Sequence, residues 1–277
     1  MRDKGWGMVN KHLTPRPKKR FGQNFLIDEN VIEEIVNEVS PQENETIIEI
    51  GAGQGALTEK LVETSARVIA IEYDKDLIPL LKARFESKDN FTLIEADALD
   101  VDFQSLVRNE KKSRIVANLP YYISTAILQN FIEQRESISD MILMLQKEVV
   151  ERIIANPGEH ERGFLSVLVE AYCETEKLFD VSPRSFRPVP KIWSSVARFE
   201  MKKSIEIKNE HLFRKILSAG FAQKRKTIFN NLRNAPKDLL AKFEEKGGVE
   251  NLLNAAMIEP QRRAETLTLE EWARLVG

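Results

Sequence analysis

Short apolar runs recur through the first half of the chain, separated by stretches of helical periodicity. They are Thr46–Ile50, Arg67–Ile71, Phe91–Glu95, Arg114–Ala117 and Met141–Leu145. Runs of this length suit strands better than core helices, and their few charges suit strands covered on both faces. Parallel neighbours are reached only by crossovers, so strands that alternate with helices predict a mostly parallel α/β sheet. The 277 residues allow that sheet and one smaller unit.

Thr46–Ile50 runs directly into Gly51-Ala52-Gly53-Gln54-Gly55, and a helical stretch follows from Ala56 through Val62. Strand, glycine loop and helix make a nucleotide-type site. The glycines let the backbone approach a ligand, and the helix start presents unpaired N–H groups. The second run ends in Glu72, about 20 positions beyond the loop, where a carboxylate can accept both hydroxyls of a ribose. A dinucleotide fingerprint spaces its glycines Gly-x-Gly-x-x-Gly, and a P-loop puts a lysine directly after them. The spacing Gly51-x-Gly53-x-Gly55 fits neither. It resembles the first motif of S-adenosylmethionine-dependent methyltransferases, with an NAD-dependent dehydrogenase as the competing reading.

The carboxyl ends of later strands supply more polar groups at the same sheet edge, where open α/β sheets bind ligands. Asp97 follows the third run; it can meet an adenine amine or simply act as a turn acid. The fourth run delivers Asn118-Leu119-Pro120-Tyr121. Pro120 cannot donate to a ladder, so the strand stops by Leu119. Asn118 offers a carbonyl acceptor and Tyr121 a flat face, which suits a planar base with an exocyclic amine. The same residues would also make a plain strand-to-helix turn. Pro183 to Lys191 is a proline-stiffened basic turn. It carries Phe186, read either as a ring that faces Tyr121 or as a hydrophobic plug. The Gln23-Asn24-Phe25-Leu26 segment has no strong signal of its own and reads as a surface loop.

Composition excludes several classes. The N-terminus lacks the apolar core of a secretory signal, and no apolar run approaches the roughly 20 residues that span a bilayer. The single cysteine, Cys173, excludes an internal disulfide and sits in an apolar segment suited to packing. His12, His160 and His211 are scattered without ligand spacing, so no metal site is expected. The net charge of −2 hides basic runs at Lys18-Lys19-Arg20 and from Lys202 to Arg233, including Lys224-Arg225-Lys226. Such runs suit phosphate or, more often, plain solvent. Residues 1–17 read as a flexible arm, 18–202 as the sheet domain and 203–277 as a small all-helical domain.

The motifs together are similar to the small-subunit ribosomal RNA adenine dimethyltransferases, from about Lys18 to Val276. The carriers are Arg20 to Leu26, Glu49 to Gly55, Asn118 to Tyr121, Met144 to Val149, Pro183 to Lys191, Lys224 to Thr227 and Gln261 to Leu267. The resemblance implies a Rossmann-like class I methyltransferase sheet, mostly parallel with its last strand antiparallel, and a helical RNA-binding domain. It implies S-adenosyl-L-methionine as cofactor, held by Asn24, Leu26, Gly51, Gly53, Glu72, Asp97 and Asn118. It implies that Asn118, Leu119, Pro120, Tyr121 and Phe186 serve the reaction, with Tyr121 and Phe186 sandwiching an adenine. The implied substrate is a pair of adjacent adenosines in the 3′-terminal hairpin loop of 16S rRNA in the pre-30S subunit. A cytoplasmic monomer without membrane contact is expected. The alternatives are a ribosome-assembly factor with little or no chemistry and the macrolide-resistance type of large-subunit methyltransferase. Tyr122 and Lys224 depart from the family's usual asparagine and arginine, and neither change removes a proposed catalytic group.

Overall fold

The computed structural model describes residues 15–18, 21–107, 112–120, 123–202 and 205–277. Strand β1 (Phe25–Leu26) and helix α1 (Glu29–Val39) open the fold. Asp28 caps α1 by accepting the N–H of Asn30, and Ile32, Ile35 and Val39 bury one face. A seven-stranded sheet is then built from β2 (Thr46–Ile50), β3 (Arg67–Glu72), β4 (Phe91–Glu95), β5 (Ser113–Asn118), β6 (Ile138–Gln146), β7 (Cys173–Val181) and β9 (Ser194–Met201). The spatial order is β4-β3-β2-β5-β6-β9-β7. Helices α2 (Ala56–Leu61), α3 (Ile78–Phe85), α4 (Phe103–Leu106) and α5 (Ser124–Glu133) link the first five strands.

The ladders β2–β3, β2–β5, β3–β4 and β5–β6 are parallel. One strand of the sheet is antiparallel. It is β9: Trp193, just before it, accepts the N–H of Lys147, just past the carboxyl end of β6. Strand order reverses between β2 and β5. Right-handed crossovers leave this pair in opposite directions, so their helices cover opposite faces. Ile47, Ile48, Ile115 and Val116 are therefore buried on both sides of the sheet.

One sequence expectation changes here. The Phe25–Leu26 segment is not a free surface loop: it pairs antiparallel with β8 (Phe186–Arg187), in the register Leu26 to Phe186. Helix α3 begins at Ile78, four residues past Asp74. The Asp74 carboxylate accepts the N–H of Asp76 at 3.1 Å and its carbonyl that of Leu77 at 2.9 Å, which makes a turn before the helix.

The chain forms two compact units. One holds residues up to Lys147 with Leu178–Phe199, and the other holds Glu148–Lys177 with Glu200–Gly277. A single cut near residue 202 misses Glu148–Lys177, which carries α6 (Lys147–Ile153) and α7 (Phe164–Tyr172). Helix α7 is apolar nearly all round, with Leu165, Val167, Leu168, Val169 and Ala171 buried. Such a helix must be covered on several sides. It packs against α8 (Glu210–Gly220) and α12 (Leu269–Arg274). Helices α9 (Ile228–Arg233), α10 (Lys237–Glu245) and α11 (Gly248–Ala255) complete that unit. Trp272, fully buried, stacks on Phe221 at 5.3 Å. Residues 1–14, part of the expected arm, and Lys19, Arg20 and Lys203 of the basic runs lie outside the described residues.

Glycine is required at Gly55 for two reasons. Its φ is +83°, and a Cβ there would lie 2.6 Å from the Phe85 ring. At Gly51 (φ +73°) a Cβ would meet nothing within 4 Å. In urea unfolding, Gly55→Ala is expected to lose roughly 2–4 kcal/mol and Gly51→Ala about 1–2 kcal/mol. Equal losses would contradict this packing.

Candidate active site

The β2–β5 ladder runs from Ile47–Arg114 to Ile50–Ala117, and the chains part at the next residues, Gly51 and Asn118. A cavity of about 420 Å³ opens over this point. The adjoining strand tips contribute Glu72 from β3 and, past β4, Ala96, Asp97 and Ala98. The Glu72 carboxylate is 6% exposed and ties two strand ends together. Its Oε2 accepts the Gly53 N–H at 2.8 Å and its Oε1 the Asp74 N–H at 2.7 Å. Burial raises its pKa, against the pull of those backbone bonds. Each oxygen keeps a lone pair for a further donor.

Residues 21–25 line the rim of the cavity, and Lys18 is tied to them. Lys18 Nζ meets both Asp74 and Asp76, and Gln23 Nε2 donates to the other Asp74 oxygen at 2.8 Å. The Gln23 side-chain carbonyl in turn accepts the Lys18 N–H at 2.7 Å, closing a ring of bonds. Burial acts to raise the Asp74 pKa, but the Lys18 and Gln23 hydrogen bonds outweigh it and hold the carboxyl below its usual value. Phe21 packs edge-on against Tyr73 at 5.7 Å. The last tie reaches the strand tip: Asn118 Nδ2 donates to the Asn24 carbonyl at 3.2 Å.

Asn24, Gly51, Gly53, Glu72, Asp97, Asn118, Leu119 and Pro120 all line this cavity. Asn118 is half-buried and reaches the space. Asp97 also holds its own turn by accepting the Leu99 N–H at 3.0 Å. Leu26 does not line the main cavity; it borders a smaller one beneath the glycine loop with Glu49 and Met144. Phe186 is not on an open loop. It is 1% exposed, in the apolar core with Leu26, Val181 and Val196. Strand pairing with β1 turns its ring inward, and the hydrophobic-plug reading describes it. Tyr121 lies outside the described residues. Sequence reasoning missed Lys18, Gln23 and Asp74 as a set, because their bonds join positions more than 50 residues apart.

A family model for ribosomal RNA adenine dimethylase matches residues 15–274. The chain belongs to that family. It is 41% identical to "Ribosomal RNA small subunit methyltransferase A" of Clostridium botulinum, over 97% of this chain and 95% of that protein. Among solved structures it resembles a dimethyladenosine transferase from Plasmodium falciparum at TM-score 0.76 and 25% identity, covering 91% of this chain and 95% of that one. It shares its fold with the 23S rRNA methyltransferase ErmE at TM-score 0.64 and 23% identity, covering 91% and 98%.

Two motifs of this dimethylase lie in the second unit. In Gln261–Leu267, Arg262 forks onto Glu271 and donates to the Thr266 carbonyl. Glu271 also closes the capping box of α12 with Thr268. Lys224, Arg225 and Lys226 sit exposed in the turn between α8 and α9. Asn231 pins that turn by donating to the carbonyls of Gly220 and Gln223. Cys173 is buried, and burial pushes its thiol up to about 12, so it packs rather than reacts.

Glu49 lies beneath the glycine loop, 2% exposed, and accepts the Thr58 hydroxyl at 2.5 Å. Burial pushes its carboxyl up to about 7; the Thr58 bond opposes the rise and the Glu72 charge adds to it. Between its ordinary value and about 7 the folded protein holds a proton that the unfolded chain has released. Stability therefore falls as pH rises through that window and levels off above it. Full ionisation costs on the order of 3 kcal/mol. Glu49→Gln is expected to flatten this fall in cofactor-free urea unfolding and to exceed wild type in stability near pH 8. Parallel stability curves for the two proteins would contradict the assignment.

Proposed function

We propose that this dimethylase transfers methyl groups from S-adenosyl-L-methionine to N6 of two adjacent adenosines in the 3′-terminal hairpin loop of small-subunit rRNA, during late subunit assembly. The observation that carries the reading is the cavity at the β2–β5 tips, with Glu72, Asp97 and Asn118 around one space. When bound, the cofactor supplies an electrophilic methyl group on a sulfonium centre. The chain offers it fitting partners. The Glu72 carboxylate keeps acceptor capacity for ribose hydroxyls, and Asp97 stands at the next strand tip for an adenine amine. The Gly51 backbone has open space where a side chain would stand.

The target amine is a weak nucleophile, because its lone pair is drawn into the purine ring. Carbonyl acceptors for its N–H groups hold that lone pair on nitrogen and aim it. The Asn118 amide is oriented by its bond to Asn24, which leaves Oδ1 as the acceptor. The Pro120 carbonyl already takes the Ile123 N–H at 3.2 Å, which favours the Leu119 carbonyl as the second acceptor. Orientation supplies much of the acceleration, and no separate base is needed because the alkylated amine is acidic. The second transfer leaves only one N–H, so one acceptor becomes dispensable. The base leaves its stack to reach the site. Tyr121, which lies outside the described residues, is assigned to one of its faces; Phe186, buried in the core, is not. The exposed Lys224-Arg225-Lys226 turn is suited to rRNA phosphates. The enzyme is proposed to act as a cytoplasmic monomer; separately, no helix among the described residues is long and apolar enough to cross a membrane.

Mass spectrometry of rRNA tests this, after incubation of partly assembled small subunits with labelled S-adenosylmethionine. Two adjacent, doubly methylated adenosines in the 3′-terminal hairpin are expected. Label confined to large-subunit RNA, or none on either RNA, would overturn the reading.

A further inference from the structure

The segment from Arg184 to Trp193 returns the chain toward β9 and carries a surface that the proposed chemistry leaves unused. Trp193 is 49% exposed and Val189 62%, with Ile192 beside them. Arg184, Arg187 and Lys191 are exposed on the same segment, and none has a carboxylate partner among the described residues. Asp180 on the adjoining strand is already engaged, by Lys147 at 2.7 Å and the Ser195 hydroxyl at 2.6 Å. The surface is thus cationic with an open indole. A scattered exposed apolar residue means little. An open aromatic ring among unpaired cations is the chemistry that binds single-stranded nucleic acid, through base stacking and phosphate contact.

Its place in the fold gives the direction. Strand β9 is antiparallel, so it starts at the edge where β5 and β6 end. Lys147 donates its N–H to the Trp193 carbonyl at 3.0 Å, while Asn118 pairs with Met144. Trp193 therefore stands two strands from Asn118, about 10 Å across, and three residues farther out, about another 10 Å. That separation is the length of about four stacked nucleotides at roughly 3.4 Å each.

We infer that the Arg184–Trp193 segment docks single-stranded RNA flanking the target adenosine, with a base stacked on Trp193 and phosphates met by Arg187 and Lys191. A protein partner is disfavoured, because the apolar area is small and interrupted by unpaired cations. The inference rests on the proposed rRNA methylation and adds a contact outside the reacting centre.

The test is steady-state methylation of unmethylated small ribosomal subunits by wild type, Trp193→Ala, Trp193→Phe and Lys191→Ala. S-adenosylmethionine is titrated into each protein by calorimetry. Trp193→Ala is expected to raise KM for the subunits about tenfold with kcat nearly unchanged, and Trp193→Phe to restore most of it. Lys191→Ala is expected to raise KM and to lower the salt slope by about one. Cofactor affinity is expected to stay at the wild-type value in all three. A wild-type KM in Trp193→Ala would overturn the docking surface and leave the methylation reading intact. A KM defect that Phe does not rescue, joined to weakened cofactor binding, marks lost packing and would overturn it too. Absence of transfer by wild type that still binds cofactor would remove the methylation reading, and the docking surface with it.

Discussion

The parallel ladder between Thr46–Ile50 and Ser113–Asn118 is the constraint on which the rest depends. Both strands are sealed in the core up to Ile50 and Ala117, and both lose their partner at the following residue. Crossovers that leave in opposite directions keep any helix from covering that gap. The cavity is therefore a consequence of strand order, and Gly51 and Asn118 are its floor. Glycine at the first tip keeps the gap open, and an amide at the second gives it a directed acceptor. The same gap in a sheet with the order unbroken would be filled by a helix start.

Charge within the site is managed by backbone and by one strap. Glu72 and Asp74 are buried acids two residues apart, a costly pair without compensation. Backbone N–H groups satisfy Glu72, and Lys18 with Gln23 satisfies Asp74. The compensation also fastens Lys18 and Gln23 at the rim, so electrostatic relief and cavity shape come from the same bonds. Asn24 then transmits that placement to the Asn118 amide. This chain of contacts explains how Lys18 and residues 21–24 come to be part of the site.

Much of this was legible in the sequence, because local rules carry it. β2 and β4 have the bounds that their apolar runs predict, and the glycine spacing and Glu72 are local to one strand–loop–helix–strand unit. What was illegible is what depends on distant partners. Phe25–Leu26 is a strand only because Phe186–Arg187 lies beside it. Phe186 is buried for the same reason, and no pattern around it separates a plug from an open ring. The Lys18–Asp74 bond spans 56 positions. The joining of Glu148–Lys177 to the C-terminal helices follows from the all-round apolar surface of α7, which periodicity alone assigns to no partner.

On the proposed reading, Asn118 orients the reacting amine and is not needed merely to shape the fold. Single-turnover methyl transfer to small subunits by Asn118→Ala, paired with calorimetry of S-adenosylmethionine binding, tests it most directly. Cofactor affinity is expected to stay within about tenfold of wild type, and the transfer rate to fall by on the order of a hundredfold or more. A wild-type transfer rate in that variant would contradict the reading.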